Sequence, residues 1–261
     1  MNLTRRSLGA AFLSAAVCTF VSLAHADDAV PVIAAAADLK FAVTEIVAAF
    51  KAETGKDIKV AFGSTGTFAT QIQQGAPFQM FMAADQKYIA DLNTAGLTRD
   101  EGVLYAEGRI VIMVPKGSAL KADAALDALA AMLDAGTITK FAIANPEHAP
   151  YGLRAEEALK HRGLWDKLQP HLVLGENVSQ AAQFALSGDT EGGIIAYSLA
   201  LAPEVSDKGD FALIPKDWHD PLLQRMVLLK NADPVTEAFY AYVQSPAARA
   251  IMEKYGFVLP E

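Results

Sequence analysis

Two short loops of small and polar residues in the first third of the chain have the composition of anion-binding loops. The first follows an apolar run at Ala36-Ala37-Asp38, and the second is Gly63-Ser64-Thr65-Gly66-Thr67. Each precedes a predicted helix, whose first turn presents backbone N–H groups without an acceptor and the positive end of the helix dipole. Two such loops in tandem predict one shared anionic ligand.

Alternating strands and helices position these loops. Val43, Ile46, Val47 and Phe50 recur at helical spacing, and Gly55 is typical of a helix end. Strands are predicted at 58–62, 78–83, 110–115, 141–144, 172–174, 194–197 and 211–214, and further helices at 127–133, 154–161, 179–186, 234–243 and 246–255. The continuous apolar run at 110–115 is typical of a strand buried in a parallel sheet. This order indicates an α/β protein with parallel-rich sheets.

The N-terminal segment has the features of an export signal. Arg5 and Arg6 precede an apolar run, and Ala24-His25-Ala26 is an A-x-A cleavage pattern. Residues 1–26 are therefore predicted to be a signal peptide cleaved after Ala26, which places the mature protein in the periplasm. The arginine pair fits either the general secretory route or the twin-arginine route. Cys18 lies within this segment, so neither disulfides nor thiol chemistry are expected in the mature chain.

The predicted mature chain is acidic. The full sequence carries 22 Lys and Arg against 30 Asp and Glu, a formal net charge of −8. Residues 1–26 contain two arginines and no acid, which leaves 20 basic and 30 acidic residues and a net charge of −10. Nucleic acid is not an expected partner, because neutralising its phosphates requires clustered Lys and Arg. A small anion still fits, since local dipoles can outweigh a weak overall field.

An enzyme is the first alternative to a binding protein. Ser64, His148 and either Asp38 or Asp85 supply the residue types of a hydrolase triad. The sequence has no G-x-S-x-G elbow, zinc-binding H-E-x-x-H, P-loop or dinucleotide fingerprint. The chain is therefore predicted to bind a ligand without converting it.

Eight short motifs occur in order along nearly the whole predicted mature chain. They are Ala34-Ala35-Ala36-Ala37-Asp38-Leu39, Gly63-Ser64-Thr65-Gly66-Thr67, Gln71-Ile72, Gly75-Ala76-Pro77, Ala84-Asp85-Gln86-Lys87, Pro146-Glu147-His148-Ala149-Pro150-Tyr151-Gly152, Glu176-Asn177-Val178 and Tyr255-Gly256-Phe257. Together they resemble the periplasmic molybdate-binding proteins of ABC importers. The resemblance implies a two-lobed type II periplasmic-binding-protein fold, in which each lobe is a parallel-rich mixed sheet flanked by helices. Crossovers at Gly108-Arg109 and in the Pro221 to Met226 stretch would divide the chain into lobe 1 (27–108 plus 225–261) and lobe 2 (109–224).

The same resemblance implies the ligand and its contacts. The ligand would be molybdate, with tungstate as a second ligand, and a monomeric receptor without a cofactor would deliver it to the membrane permease. Tyr151 would contribute a backbone amide or its hydroxyl, Val178 a backbone N–H and Tyr197 a phenolic hydroxyl. Such neutral donors suit a tetrahedral dianion, which can only accept hydrogen bonds. The implied contacts are Asp38, Ser64, Thr65, Tyr151, Val178 and Tyr197.

Asp38 departs from the family pattern, which has Ser at this position. A carboxylate facing a dianion is repulsive unless it is protonated or turned to cap its own helix, and capping is the favoured interpretation. The alternative ligand is another oxyanion, or a metal cation held by Asp38, Tyr151, Tyr197 and His148, whose oxygen and nitrogen atoms are suitable ligands. If the oxyanion is the ligand, Asp38→Ser is expected to leave its affinity unchanged or raise it.

Overall fold

The computed structural model describes residues 30–260. The predicted signal peptide, residues 1–26, lies outside this range. The choice between the two export routes depends on that segment and lies outside the described residues as well. Within residues 30–260, no helix combines the length and the apolar character needed to cross a membrane.

Residues 30–260 form ten strands and eleven α-helices. The strands are β1 (Val32–Ala36), β2 (Lys59–Gly63), β3 (Met80–Ala83), β4 (Val103–Gly108), β5 (Ile110–Pro115), β6 (Phe141–Ala144), β7 (Leu172–Gly175), β8 (Gly192–Ala196), β9 (Gly209–Leu213) and β10 (Leu222–Leu228). The helices are α1 (Lys40–Thr54), α2 (Thr65–Gln73), α3 (Gln86–Thr94), α4 (Asp127–Asp134), α5 (Pro150–His161), α6 (Trp165–Leu168), α7 (Val178–Ala185), α8 (Tyr197–Ala200), α9 (Pro203–Ser206), α10 (Pro234–Val243) and α11 (Pro246–Lys254).

The strands make two mixed five-stranded sheets, one in each lobe. The first has the order β2-β1-β3-β10-β4, with β1 parallel to β2 and β3 and with β10 antiparallel to β3 and β4. The second has the order β7-β6-β8-β5-β9, with β6 parallel to β7 and β8. The C-terminal helices return to the first lobe, where Phe239 of α10 packs edge-on against Phe50 of α1 at 5.3 Å between ring centroids. This is the expected two-lobed α/β fold with helices around each sheet.

Two local expectations were wrong. The apolar strand β5 is buried as predicted, yet it runs antiparallel to both neighbours, β8 and β9. Burial on both faces explains its sequence, and an apolar run carries no information on strand direction. The stretch expected to be the second crossover is instead largely strand β10. Leu222 to Gln224, predicted to lie in lobe 2, pair with β4 in the first sheet.

Strand β8 also ends one residue earlier than predicted. Its last residue is Ala196, and Tyr197 is the first residue of the short helix α8. The chain therefore crosses between the sheets at Gly108-Arg109 and again between β9 and β10.

Candidate functional site

A small buried cavity lies between the two lobes, where several helices begin. The first lobe contributes the 3₁₀ turn Ala37–Leu39 that leads into α1, together with the start of α2. The second lobe contributes the starts of α5 and α7. The cavity measures about 10 Å³ and is lined by Ala36, Ala37, Asp38, Gly63, Ser64, Thr65, Ala84, Ala149, Pro150, Tyr151, Asn177 and Val178. Among the described residues, neither Lys nor Arg lines it, so helix dipoles and N–H groups provide its positive potential.

The Ser64-Thr65 loop contributes one hydroxyl to the lobe contact and one to the cavity. Ser64 precedes the first residue of α2, and its Oγ donates to the carbonyl of His148 in the other lobe at 2.5 Å. Thr65 Oγ1 accepts from the backbone N–H of Ala84 at 3.1 Å, which leaves the hydroxyl proton of Thr65 for donation. Both side chains are buried. The structure thus places both predicted residues at the cavity, with Thr65 as the available hydroxyl donor.

The starts of α5 and α7 present backbone amides. Pro150 is the first residue of α5, where its missing N–H removes nothing from the helix, and Tyr151 follows it. At the start of α7, Asn177 Oδ1 accepts from the N–H groups of Ser179 and Gln180 at 3.0 and 3.1 Å. The N–H of Val178, the first helical residue, has no acceptor within the helix. The predicted backbone contact at Val178 is therefore at the cavity, where the residue forms part of the lining.

Asp38 connects the two lobes through its side chain. One carboxylate oxygen, Oδ2, accepts from the Tyr151 hydroxyl at 3.0 Å and from Gln224 Nε2 at 2.8 Å. The backbone carbonyl of Asp38 accepts from Ser198 Oγ at 2.9 Å. The other oxygen, Oδ1, is buried and has no hydrogen-bond partner among the described residues. Burial raises the pKa of Asp38 from 3.8 to about 6, against the lowering effect of the Gln224 and Tyr151 hydrogen bonds.

These contacts correct the favoured interpretation of Asp38. Its side chain makes no capping hydrogen bond to the 3₁₀ turn or to α1 and instead reaches Tyr151 across the cleft. The Tyr151 hydroxyl is consequently engaged with Asp38, so the backbone amide is the group of Tyr151 that remains for a ligand. A helix-capping side chain and a cross-lobe acceptor look alike in the sequence, because both place Asp where a strand becomes a helix.

Tyr197 is not brought to the cavity. Its ring lies against Phe211 at 5.9 Å between centroids and packs over Gly256, where a Cβ atom would come within 2.6 Å of the ring. The physical reason is the early end of β8, which makes Tyr197 a helical residue at the lobe contact. Its neighbour Ser198 provides the buried hydroxyl that contacts Asp38.

Two further residues of the site were missed by sequence reasoning, Gln224 and Ser198. Gln224 is completely buried and donates to both Asp38 and the Tyr151 hydroxyl, the latter at 3.0 Å. A lone Gln within the apolar stretch Leu222-Leu223-Gln224-Arg225-Met226-Val227-Leu228 was the available signal, since a buried amide needs a partner. Ser198 carried no comparable signal.

The hydrolase alternative is not supported by the geometry around Ser64. Ser64 Oγ lies 3.0 Å from His148 Nδ1, and His148 Nε2 lies 3.5 Å from Glu176. The Ser64 proton is directed to the His148 carbonyl, however, so the imidazole does not activate the hydroxyl. Asp38 contacts Tyr151, and Asp85 forms an ion pair with Arg154 at 3.0 Å, so neither completes the triad of the hydrolase alternative. The Ser64-His148-Glu176 chain instead joins the lobes.

The cation alternative also lacks a ligand set. Within residues 30–260, no three side chains of His, Cys, Asp or Glu come together as a metal site requires. Of the four ligands proposed for a cation, Asp38 and Tyr151 contact each other, while Tyr197 lies elsewhere.

Two lobes that meet around a cavity lined by helix starts define a ligand-binding protein of the periplasmic type. The profile described as bacterial extracellular solute-binding protein matches residues 31–258. The chain belongs to this family.

Its relatives include two curated proteins and one solved structure that are similar over most of their length. The molybdate-binding protein ModA of Rhodobacter capsulatus is 34% identical over 235 residues, which cover 86% of each chain. ModA of Escherichia coli K12 is 33% identical, covering 90% of this chain and 91% of the relative. The structure of the Azotobacter vinelandii periplasmic molybdate-binding protein superposes with a TM-score of 0.80 at 28% identity, covering 88% of this chain and 100% of that one.

Proposed function

We propose that this protein is a periplasmic receptor that captures molybdate between its two lobes and delivers it to an ABC importer. The observation that carries the proposal is the cavity lined by helix starts from both lobes and by the Thr65 hydroxyl. A tetrahedral dianion offers only acceptors, so donors without a full charge match it. Each hydrogen bond to such a charged ligand contributes about 1.5–3 kcal/mol, and several together outweigh the free energy of ordering the lobes.

Selectivity follows from the same donor set. Fixed neutral donors provide no mobile cation that would hold any anion equally well, so the radius of the closed cavity decides which oxyanion fits. Tungstate has the charge, shape and nearly the size of molybdate and is the second ligand that we propose. Sulfate and phosphate are smaller and would leave some donors without an acceptor.

Delivery of the ligand to the permease depends on closure of the two lobes. Ser64 and Gly66 of the first lobe donate to the His148 carbonyl of the second, and Arg154 pairs with Asp85 across the cleft. A permease that contacts both lobes would therefore recognise the closed, loaded form. We propose that the receptor acts as a monomer, without a nucleic-acid partner, after export by the N-terminal signal.

Titration calorimetry with molybdate, tungstate, sulfate, phosphate, chromate and ferric ion tests the proposal. Molybdate and tungstate should bind tightly and sulfate weakly. Thr65→Val should weaken molybdate binding about 10-fold to 150-fold, the equivalent of one hydrogen bond to a charged ligand. Thr70→Val is the matched control, since Thr70 is exposed on the same helix and its hydroxyl bonds only to the Gly66 carbonyl. Binding of ferric ion without any response to molybdate would refute the proposed function.

A further inference from the structure

Asp38 is the acidic residue of the cavity lining as described, and it is the residue least suited to a dianion. It is 1% exposed, and the groups that contact it are uncharged. Tyr151 from α5 and Gln224 from β10 contact its carboxyl group, and Ser198 from α8 contacts its backbone carbonyl. Tyr105 from β4 is the other titratable neighbour, and burial, followed by the charge of Asp38, raises its pKa well above the usual value. A charged carboxylate here would therefore face the ligand without a compensating cation.

The two carboxyl oxygens of Asp38 have different surroundings. Oδ2 already accepts two hydrogen bonds, from Tyr151 and from Gln224. These occupy its two lone pairs, so a proton added to the carboxyl group would be placed on Oδ1. Oδ1 is the buried oxygen without a partner, in a residue that lines the cavity. A protonated Oδ1 would thus supply a hydroxyl donor where an ionised carboxylate supplies none.

We propose that Asp38 binds the oxyanion as a neutral carboxylic acid, with Oδ1–H donating to a ligand oxygen, so that capture of a dianion consumes one proton from solvent. This inference rests on the proposed function and names the protonation state of its site. The balance is an ionised Asp38, one solvent proton and the dianion on one side, and the protonated complex on the other. No covalent bond other than O–H is formed.

Three physical effects favour the protonated form in the complex. Burial, against the lowering effect of the Gln224 and Tyr151 hydrogen bonds, already raises the pKa of Asp38 to about 6 in the absence of a ligand charge. A dianion at hydrogen-bond distance then disfavours the ionised carboxylate further, because like charges in a site of low dielectric repel strongly. Hydrogen bonding from Oδ1–H to the ligand stabilises the neutral acid in addition.

The experiment is calorimetric titration with molybdate in buffers of different ionisation enthalpy. At about pH 8 the wild-type protein should take up close to one proton per molybdate, and its affinity should fall about 10-fold per pH unit above about pH 7. Asp38→Asn keeps an acceptor for Tyr151 and Gln224 and an N–H donor in place of Oδ1–H. This variant should bind with no proton uptake and with an affinity that does not vary over the same pH range.

Controls separate this inference from the function on which it rests. Asp217→Asn, at an exposed position, should retain the wild-type proton uptake. Molybdate binding by the wild type with neither proton uptake nor pH dependence would overturn the inference and leave the proposed function intact. Preferential binding of hydrogen phosphate without proton uptake would also overturn it, since Asp38 would then be an ionised acceptor. No molybdate binding by either protein at any pH would overturn both proposals. If Asp38→Asn fails to fold, the wild-type proton count decides alone.

Discussion

Replacing Asp38 by Asn should stabilise the closed form of the ligand-free protein at neutral pH and leave its stability unchanged in acid. Asn has the shape of Asp and can still accept hydrogen bonds from Tyr151 and Gln224. Unlike Asp, it carries no charge that folding must transfer out of water. The folded protein holds Asp38 buried, with a pKa raised from 3.8 to about 6. Ionised Asp38 therefore opposes folding, and this destabilisation should disappear in the variant.

The sign and size of the effect follow from linkage. A folded-state pKa above the unfolded value means that the folded protein binds the proton more tightly, so stability falls as pH rises from about 3.8 to about 6. Over this interval the loss is about 3 kcal/mol, at about 1.4 kcal/mol per pH unit. It is fully present above about pH 6 and absent below about pH 4. For a chain of this size, 3 kcal/mol corresponds to about 6–12 °C in Tm.

Thermal unfolding of ligand-free protein, followed by calorimetry between about pH 4 and pH 8, measures this difference. The Tm of Asp38→Asn should exceed that of the wild type by the stated amount at the upper end and match it at the lower end. Asp217→Asn, an exposed Asp-to-Asn change, should show no such divergence. An equal gain at both ends would mean that burial of the Asp38 charge is not its cause, and no gain at pH 8 would refute the reasoning.

Three other substitutions probe the contacts around this group. Gly66→Ala would place a Cβ atom 2.6 Å from the His148 carbonyl oxygen across the cleft, so closure should be hindered and molybdate bound about 5-fold to 150-fold more weakly by calorimetry. Unchanged affinity would contradict the closed geometry. Tyr151→Phe removes a hydrogen bond that lowers the pKa of Asp38, so the carboxyl resonance of Asp38 in ¹³C NMR should titrate above about pH 6; a lower titration point would contradict it. Gly108→Ala would overlap the Tyr151 hydroxyl and should lower Tm, and an unchanged Tm would show that this contact is loose.

Local sequence signals were sufficient to predict the bounds of a helix that begins with a strong cap. Helix α10 starts at Pro234 after Asp233, whose side chain accepts from Thr236 N–H, and its predicted bounds are the observed ones. Strands β4 and β10 escaped prediction because polar residues interrupt their apolar runs, Glu107 in one and Gln224 and Arg225 in the other. Their identity as strands depends on pairing with each other, at a separation of over a hundred residues, which no local pattern contains.

The residues that line the cavity were predictable where they begin a helix. Thr65 and Val178 are helix-start residues, and a helix start is recognisable from its neighbours in the sequence. The roles of side chains depend on partners that are far away in the sequence, and they were therefore harder to predict from it. Asp38 and Gln224 are 186 residues apart, and the contact that defines both is made only when the second crossover returns the chain to the first sheet.

The three-residue contact of Asp38, Tyr151 and Gln224 also links protonation to the position of the lobes. Asp38 belongs to the first lobe and Tyr151 to the second, while Gln224 lies in the strand that follows the second crossover. Opening the cleft would expose the carboxyl group to water and move the Tyr151 hydroxyl away from it. The pKa of Asp38 would then return toward that of a solvated Asp. Because linkage is reciprocal, whatever protonates Asp38 favours the closed lobes, and whatever closes the lobes favours protonation. A dianion that accepts the Oδ1 proton acts in the same direction, so ligand, proton and closure are coupled through one buried carboxyl group.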